Sequence, residues 1–465
     1  MQTVAVLMAI LGIVLASSLN WRLSVKSIFF LLVIEGVLRK WVLPQSSDLI
    51  YFLKDIVLLG AYIRYFLFSS PEFKFPIKNS FLNIFLFLAT VWCLFQAFNP
   101  SLGSPLVGLF GLRGYLFYIP LMWMMPNLFR SEEELYQFLR WHLLLLIPVC
   151  LLGIAQFASP VSSPINVYAG GKEADATFQG VVKTRITGSF SYINNYVAYL
   201  TVCFALLCPM LIRKQQRWWQ WASIVELALL TANAFMTGSR SIVLFEVLFL
   251  ISYFSLLGFK QASIIAVYVR RFSIPLILTV VVSFTWFRSA LDAFLLRSTS
   301  SDNLSDRIWN NFIVFDFFKY KQLDGYGTGA THQAISTLRN ILDLSLGETV
   351  PPLESEMSRI AVELGPLGFF FWYGLRIALL LSLFQVFWKL KRPFLRQLAL
   401  AAFLVHAIQI SGQLVVHHTF LVYYWFLSGF IFLLPWLEQV ENWHQQQNDL
   451  NQNVSSSYFS SQSDS

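Results

Sequence analysis

Charge is what this chain has least of. Asp, Glu, Lys and Arg together make 12% of 465 residues while 56% are apolar, a balance that excludes two or three domains each showing water its own hydrophilic surface. Cysteine is scarce as well. Cys93, Cys150, Cys203 and Cys208 each lie inside an apolar run, where a thiol acts as a small hydrophobic side chain, so neither a disulfide framework nor a cysteine metal site is indicated. Period-two alternation is missing: Phe245-Glu246-Val247-Leu248-Phe249-Leu250-Ile251 is nearly continuous, unlike the strand of a membrane barrel. No internal repeat is visible by eye. No Gly-Lys-Ser or Gly-Lys-Thr follows Gly325-Tyr326-Gly327-Thr328-Gly329, which excludes a Walker nucleotide loop.

What the sequence does contain is a series of apolar runs of roughly 17 to 25 residues, each able to cross about 30 Å of hydrocarbon as a helix. They place crossings near 3–19, 26–43, 48–67, 80–98, 105–125, 136–157, 190–212, 219–237, 241–259, 272–288, 362–388, 398–416 and 419–437. The net charge of +8 comes from Lys and Arg in the turns between runs: Arg22 and Lys26, Lys74 and Lys78, Arg213 and Lys214, Arg270 and Arg271, and Lys389 to Arg396. With these crossings all of them share one side, the cytoplasmic one under the positive-inside rule. The C-terminus then lies in the cytoplasm, and loops 159–189 and 289–361 lie outside it. Acidic residues outnumber basic ones in the second loop, so it is no nucleic-acid patch. The first run ends near Ala16-Ser17-Ser18 with no basic residue before it, and reads as an uncleaved anchor. The expected fold is all-α: a polytopic transmembrane helical bundle of about 12–13 crossings over residues 1–437, with a long, partly helical extracytoplasmic loop. The Gln-, Asn- and Ser-rich residues 438–465 are expected to form a disordered cytoplasmic tail.

Charged residues at membrane depth are costly and tend to mark polar cavities. Those in or beside crossings are Glu35, Arg39, Lys54, Asp55, Arg113, Arg185, Arg240, Glu246 and Arg288. Arg39, Lys54 and Arg288, near run ends, fit simple snorkelling to the interface. Arg113 is flanked by Gly111 and Gly114, which allow another backbone or a ligand to come close; a purely structural Arg fits equally well. Arg185 precedes one crossing, and Arg240 sits in Thr237-Gly238-Ser239-Arg240-Ser241 between two others, putting two guanidiniums at headgroup depth. Such a pair suits a lipid-linked phosphate or diphosphate, or only generic headgroups. In the long loop Arg307 precedes the Gly-rich stretch, whose backbone N–H groups could line an anion site. After Pro351-Pro352, a helix would carry Glu356, Arg359 and Glu363 on one face, either as part of a site or as a solvated salt ladder. Glu354 would lie at that helix's start, where the dipole keeps a carboxylate ionised. His332 reads as an incidental loop residue or a base; His417-His418 lacks further ligands for a metal.

Together these residues resemble the O-antigen ligase and O-antigen polymerase superfamily of bacterial membrane glycosyltransferases. Arg185-Ile-Thr-Gly-Ser-Phe with Asn194 is similar to that family's Arg-x-x-Gly-x-Phe-x-x-x-Asn, and Thr237-Gly-Ser-Arg240 to its Arg-bearing turn. Arg307-x-Trp, Gly325-Tyr-Gly-x-Gly and Glu363-Leu-Gly-x-x-Gly are similar to its long outer loop. Where the family carries a His, nine residues and a Gly after the following position, this chain has Glu354-Ser355, nine residues and Gly365. The resemblance implies a GT-C-type fold and metal-independent, cofactor-free, inverting transfer of an undecaprenyl-diphosphate-linked glycan to a hydroxyl, at the outer face of the bacterial cytoplasmic membrane. It implies Arg240 and Arg307 on the diphosphate with Arg185 third, Glu354 as base with Glu356 in reserve, and Arg113, Asn194, Tyr326 and Arg359 around the substrate. Chain-length regulators or export proteins would be partners, and nucleic acid would not. Glu for His tips the reading from ligase, which transfers glycan to lipid A core, toward polymerase of O-antigen or exopolysaccharide. The alternatives are a flippase for the same lipid-linked sugars and a non-catalytic assembly component.

Overall fold

The computed structural model describes residues 2–69, 80–172, 177–178, 181–260, 288, 292, 313–319, 323–351, 353 and 355–463. Arg307, Glu354 and, apart from Arg288, the crossing expected at 272–288 lie outside them. The described chain is a helical membrane protein. Among its residues six helices are long and apolar enough to span a bilayer: Pro105–Leu128, Glu132–Ala158, Ile193–Ile212, Arg240–Phe259, Glu356–Lys389 and His418–Leu450. The pair Val6–Leu19 and Trp21–Val42 makes a seventh if counted as one span, bent by 119°.

Several of the other apolar runs among the described residues fold as short or broken helices. α1 (Gln2–Leu19) and α2 (Trp21–Val37) meet at the sharp bend, where Asn20 accepts the N–H of Leu23 as an N-cap. The next run divides into α3 (Ser47–Tyr51) and α4 (Leu53–Ile63), and α5 (Ser80–Ala97) is apolar but short. α6 (Pro105–Tyr115) and α7 (Ile119–Leu128) follow, then α8 (Glu132–Leu144) and α9 (Leu146–Ala158). α8 begins where its sequence says a helix should. Ser131 caps the N–H of Glu134, and Glu132, Glu133 and Glu134 sit at the positive end of the dipole.

A small antiparallel hairpin, β1 (Thr177–Phe178) and β2 (Val181–Thr184), leads into α10 (Ile193–Ile212), α11 (Arg217–Met236) and α12 (Arg240–Lys260). Next come the short α13 (Ile335–Leu342), α14 (Glu356–Lys389), α15 (Pro393–Ile408), α16 (His418–Ser428) and α17 (Phe430–Ser463). α16 is buried along its whole length, and α14 packs on α5 and α15, so these late helices form the core. α17 runs on as helix to Ser463. An apolar, packed first part supplies the nucleus, and adding Gln and Glu to an existing helix costs little.

Turns gather at the two ends as their charges require. At one end Lys26 pairs with Glu134 (2.7 Å), Arg213 with Glu133 (2.9 Å) and Arg392 with Glu132 (3.3 Å), while Glu438 accepts the N–H groups of Lys391 and Arg392. At the other end lie residues 41–48, 98–105, 160–172, 181–192, 237–241, 323–351 and 409–417, linked by bonds such as Trp41 Nε1 to the Pro164 carbonyl (2.9 Å).

One break in α14 organises that second end. Pro366 has no N–H for the Val362 carbonyl, and Gly365 leaves the helix at φ +69°. The freed carbonyls of Val362 and Glu363 accept the N–H groups of Tyr326 (2.8 Å) and Gly327 (2.9 Å), and that of Leu364 accepts Trp92 Nε1 (2.7 Å). A Cβ on Gly365 would stand 2.6 Å from the Leu323 carbonyl oxygen, so the close approach of the two backbones demands glycine.

Candidate functional site

A cavity of about 750 Å3 opens at the second end, and four elements supply its walls. The first is the segment after β2. Arg185 lines the cavity, its Nε donating to the Thr237 carbonyl (2.9 Å), and the residues behind it are held from within. Lys40, 2% exposed, donates to Thr187 Oγ1 (2.8 Å) and to the carbonyls of Gly188 (3.1 Å) and Phe190 (3.2 Å). Gln156 Oε1 accepts the N–H groups of Thr187 and Gly188. These bonds fix a loop that would otherwise leave polar backbone unpaired at membrane depth.

The second wall is the α11–α12 turn, where Gly238, Ser239, Arg240 and Ser241 face the cavity. Thr237 Oγ1 accepts the Ser239 N–H (3.1 Å) and closes the turn, so the bond from Arg185 to Thr237 joins the two Arg-bearing segments directly. The third is the start of α10, with exposed Asn194 at its rim, half-buried Val197 and Ala198 behind it and buried Thr201 a turn further in.

The fourth wall brings a carboxylate. Ser355 caps α14 by accepting the Ser358 N–H, and Glu356 follows in its first turn, 1% exposed. Glu356 Oε1 accepts the N–H groups of Leu414 (3.1 Å) and Val415 (2.8 Å), tying α14 to the 409–417 turn. Its Oε2 makes no hydrogen bond among the described residues, with Arg359 Nε 3.9 Å away. Gln409, Gln413 and His417 complete this wall, the His417 ring meeting Gln413 Oε1 at 2.6 Å. Burial, with Arg359 nearby, lowers the His417 pKa to about 4, so this imidazole is neutral at pH 7. The cavity therefore sets two guanidiniums and one carboxylate among neutral amides and hydroxyls, an arrangement suited to a polyanionic group with hydroxyl-rich substituents.

Of the residues singled out from sequence, Arg185, Asn194, Arg240 and Glu356 meet in this cavity. Arg307 and Glu354 fall outside the described residues. The others do not line it. Arg113 is ion-paired with Asp55 (2.5 Å) and packs on the rings of Tyr51 and Phe52, deep in the bundle; its glycines serve backbone approach, a Cβ on Gly111 falling 2.4 Å from the Thr328 carbonyl. Arg39 and Lys54 are not snorkelling either: both are buried and share Glu35, at 3.3 and 2.8 Å. Tyr326 is buried in the Gly-rich turn, and Arg359 donates to the Thr331 carbonyl (2.9 Å) behind the Glu356 wall.

Two further expectations are corrected. The Gly-rich turn has no spare N–H groups for an anion from 326 to 332. They go to carbonyls of Val362, Glu363, Gln96, Gly327 and Gly329 and to the Glu363 carboxylate, which takes Gly329 (3.1 Å) and Thr331 (2.9 Å). The Glu356, Arg359 and Glu363 face is no solvated ladder: all three are buried, and Glu363 also accepts Tyr115 Oη (2.6 Å) and Thr331 Oγ1 (2.6 Å). His332 is likewise packed away. Its ring lies against Phe110 (4.9 Å), and burial, aided by Arg113 and Arg359, lowers its pKa to about 4.

Sequence reasoning missed Lys40 and the Gln409, Gln413 and His417 wall. The sequence carries a signal for the latter: Gln409, Ser411, Gly412 and Gln413 interrupt the apolar run of residues 398–416. No family model matches this chain, and no curated protein matches it.

Proposed function

We propose that the chain is a membrane glycosyltransferase that polymerises lipid-linked glycan repeat units, with the cavity of Arg185, Arg240 and Glu356 as its active site. The observation that carries this reading is the convergence of those two guanidiniums and the buried carboxylate at one end of an apolar bundle. The resemblance of Arg185 to Asn194 and of Thr237 to Arg240 to the O-antigen ligase and polymerase superfamily supports the same assignment and names the donor, an undecaprenyl-diphosphate-linked oligosaccharide. In this reading the basic turns at the opposite end face the cytoplasm of a bacterial cell, and the cavity opens at the outer face of the cytoplasmic membrane.

The chemistry follows from the charges. Arg185 and Arg240 hold the diphosphate and neutralise the charge that grows on it as the bond from the anomeric carbon to the diphosphate oxygen breaks. The acceptor sugar's hydroxyl attacks that carbon from the opposite side, inverting it, and its proton passes to a carboxylate. Glu356, with one oxygen held by backbone and the other free of hydrogen bonds, serves as that base among the described residues; Glu354, two positions earlier, and Arg307 complete the proposed set. The amides of Gln409 and Gln413 orient glycan hydroxyls. The test is replacement of Arg185, Arg240 and Glu356 singly by Ala in cells that still insert the protein, followed by analysis of glycan chain length and lipid-linked units. Short glycan with accumulated units on the outer leaflet is expected. Normal glycan in all three variants removes the enzyme reading, and accumulation on the inner leaflet points to a flippase.

A further inference from the structure

At the opposite, basic end of the bundle a second cavity of about 260 Å3 lies between the α10–α11 and α14–α15 turns. Arg213, Lys214 and Arg392 line it with one carboxylate, Glu132, and Ile212 and Phe394 form its apolar side. Arg213 is fixed in place. Its guanidinium lies 4.0 Å from the Tyr136 ring centre and 4.6 Å from that of Phe394, and its Nη2 reaches Glu133 at 2.9 Å. The other terminal nitrogen, Nη1, is buried and has no hydrogen-bond acceptor among the described residues, Glu132 standing off at 3.8 Å. Arg392 Nη1 is 3.3 Å from the second oxygen of Glu132, so one carboxylate is spread over two guanidiniums. Lys214 is exposed and makes no ion pair among the described residues.

An orphaned guanidinium donor beside a space lined by three cations and one carboxylate calls for an anion with several acceptor oxygens. Depth selects its kind. The α10 span ends at Ile212 and the α14 span at Lys389, so the cavity sits at the level of the lipid headgroups, where basic pockets between membrane helices hold acidic lipids. We propose that this cavity binds a phosphate group, supplied by the headgroup of an anionic phospholipid of the adjoining leaflet, which clips the turns bearing Glu132, Arg213 and Arg392 together. The apolar side formed by Ile212 and Phe394 suits the glycerol and first acyl carbons rather than free phosphate.

The experiment uses the full chain in nanodiscs of phosphatidylcholine with increasing phosphatidylglycerol, reading the thermal midpoint and, by native mass spectrometry, the lipid retained. A saturating rise in midpoint with phosphatidylglycerol retained is expected, and K214Q and R392Q should each weaken the apparent affinity by about tenfold, the scale of one charge-assisted hydrogen bond. K391Q, an exposed neighbour that does not line the cavity, should behave as wild type. Equal effects of K391Q and K214Q, or none from K214Q and R392Q, overturn the site. Millimolar inorganic phosphate in pure phosphatidylcholine reproducing the full rise would assign the cavity to free phosphate and overturn the lipid source.

Discussion

The two carboxylate oxygens of Glu356 have different surroundings, and substitution separates what each contributes. Its Oε1 accepts two buried backbone N–H groups, from Leu414 and Val415, whereas Oε2 accepts none among the described residues. Glu356→Ala leaves both donors without a partner, at about 1–3 kcal/mol each, or roughly 2–6 kcal/mol in all, a large share of a typical folding free energy. Glu356→Gln keeps an oxygen for those donors and removes the charge beside buried Arg359 (3.9 Å), so its stability should fall by less than that of the Ala variant, which loses the oxygen and the charge together. Activity should rank differently. If the carboxylate takes the acceptor's proton, Glu356→Gln loses about 10²- to 10⁴-fold in turnover while staying folded. The assay pairs thermal midpoints in detergent with turnover of lipid-linked glycan for both variants. A Gln variant as active as wild type makes Glu356 a strut and refutes its role as base. An Ala variant as stable as wild type refutes the hydrogen-bond argument.

Three other expectations follow from the same geometry. Arg185→Ala and Arg240→Ala should each lower turnover about 10²- to 10³-fold at unchanged insertion, with Lys restoring only part because it lacks the bidentate fork; kinetics on purified protein checks this. Gly365→Ala should cost at least about 1–3 kcal/mol, since φ +69° strains any side chain and the new Cβ meets the Leu323 carbonyl at 2.6 Å; the thermal midpoint reads it. His332 and His417 both have pKa values lowered to about 4 from 6.5, so the fold favours their neutral forms. Their contribution is intact above pH 6.5 and is lost as the pH falls through about 4, because the unfolded chain takes up those protons first. Midpoints measured from pH 8 to 4 should therefore be flat and then fall, and less steeply in His332→Gln.

The membrane class was legible because long apolar runs and sparse charge leave few other solutions, and among the described residues the basic turns of Lys26, Arg213 and Arg392 share an end of the bundle. Crossing number was less legible. Hydropathy cannot see the 119° bend after Leu19 or the division at Tyr51 and Phe52, since a bent apolar helix and a straight one have the same composition. Arg185, Asn194, Arg240 and Glu356 were picked out by charge, small neighbours and resemblance, and they share one cavity. Arg113 and Arg359 carry the same signals but spend their charge on Asp55 and on Thr331, partners distant in sequence that no spacing rule could supply. The Gly-rich turn misled for a related reason: its N–H groups answer carbonyls freed at Pro366, a need visible only once the two segments are side by side.

Lipid-linked repeat units extracted from cells lacking the protein, incubated with the purified chain and analysed by mass spectrometry, test the central claim most directly. The account predicts glycans lengthened by whole repeats with undecaprenyl diphosphate released in step, and loss of both products in Arg185→Ala and Arg240→Ala. Folded wild-type protein that neither lengthens glycan nor releases the carrier, or undiminished products from both Arg variants, would contradict it.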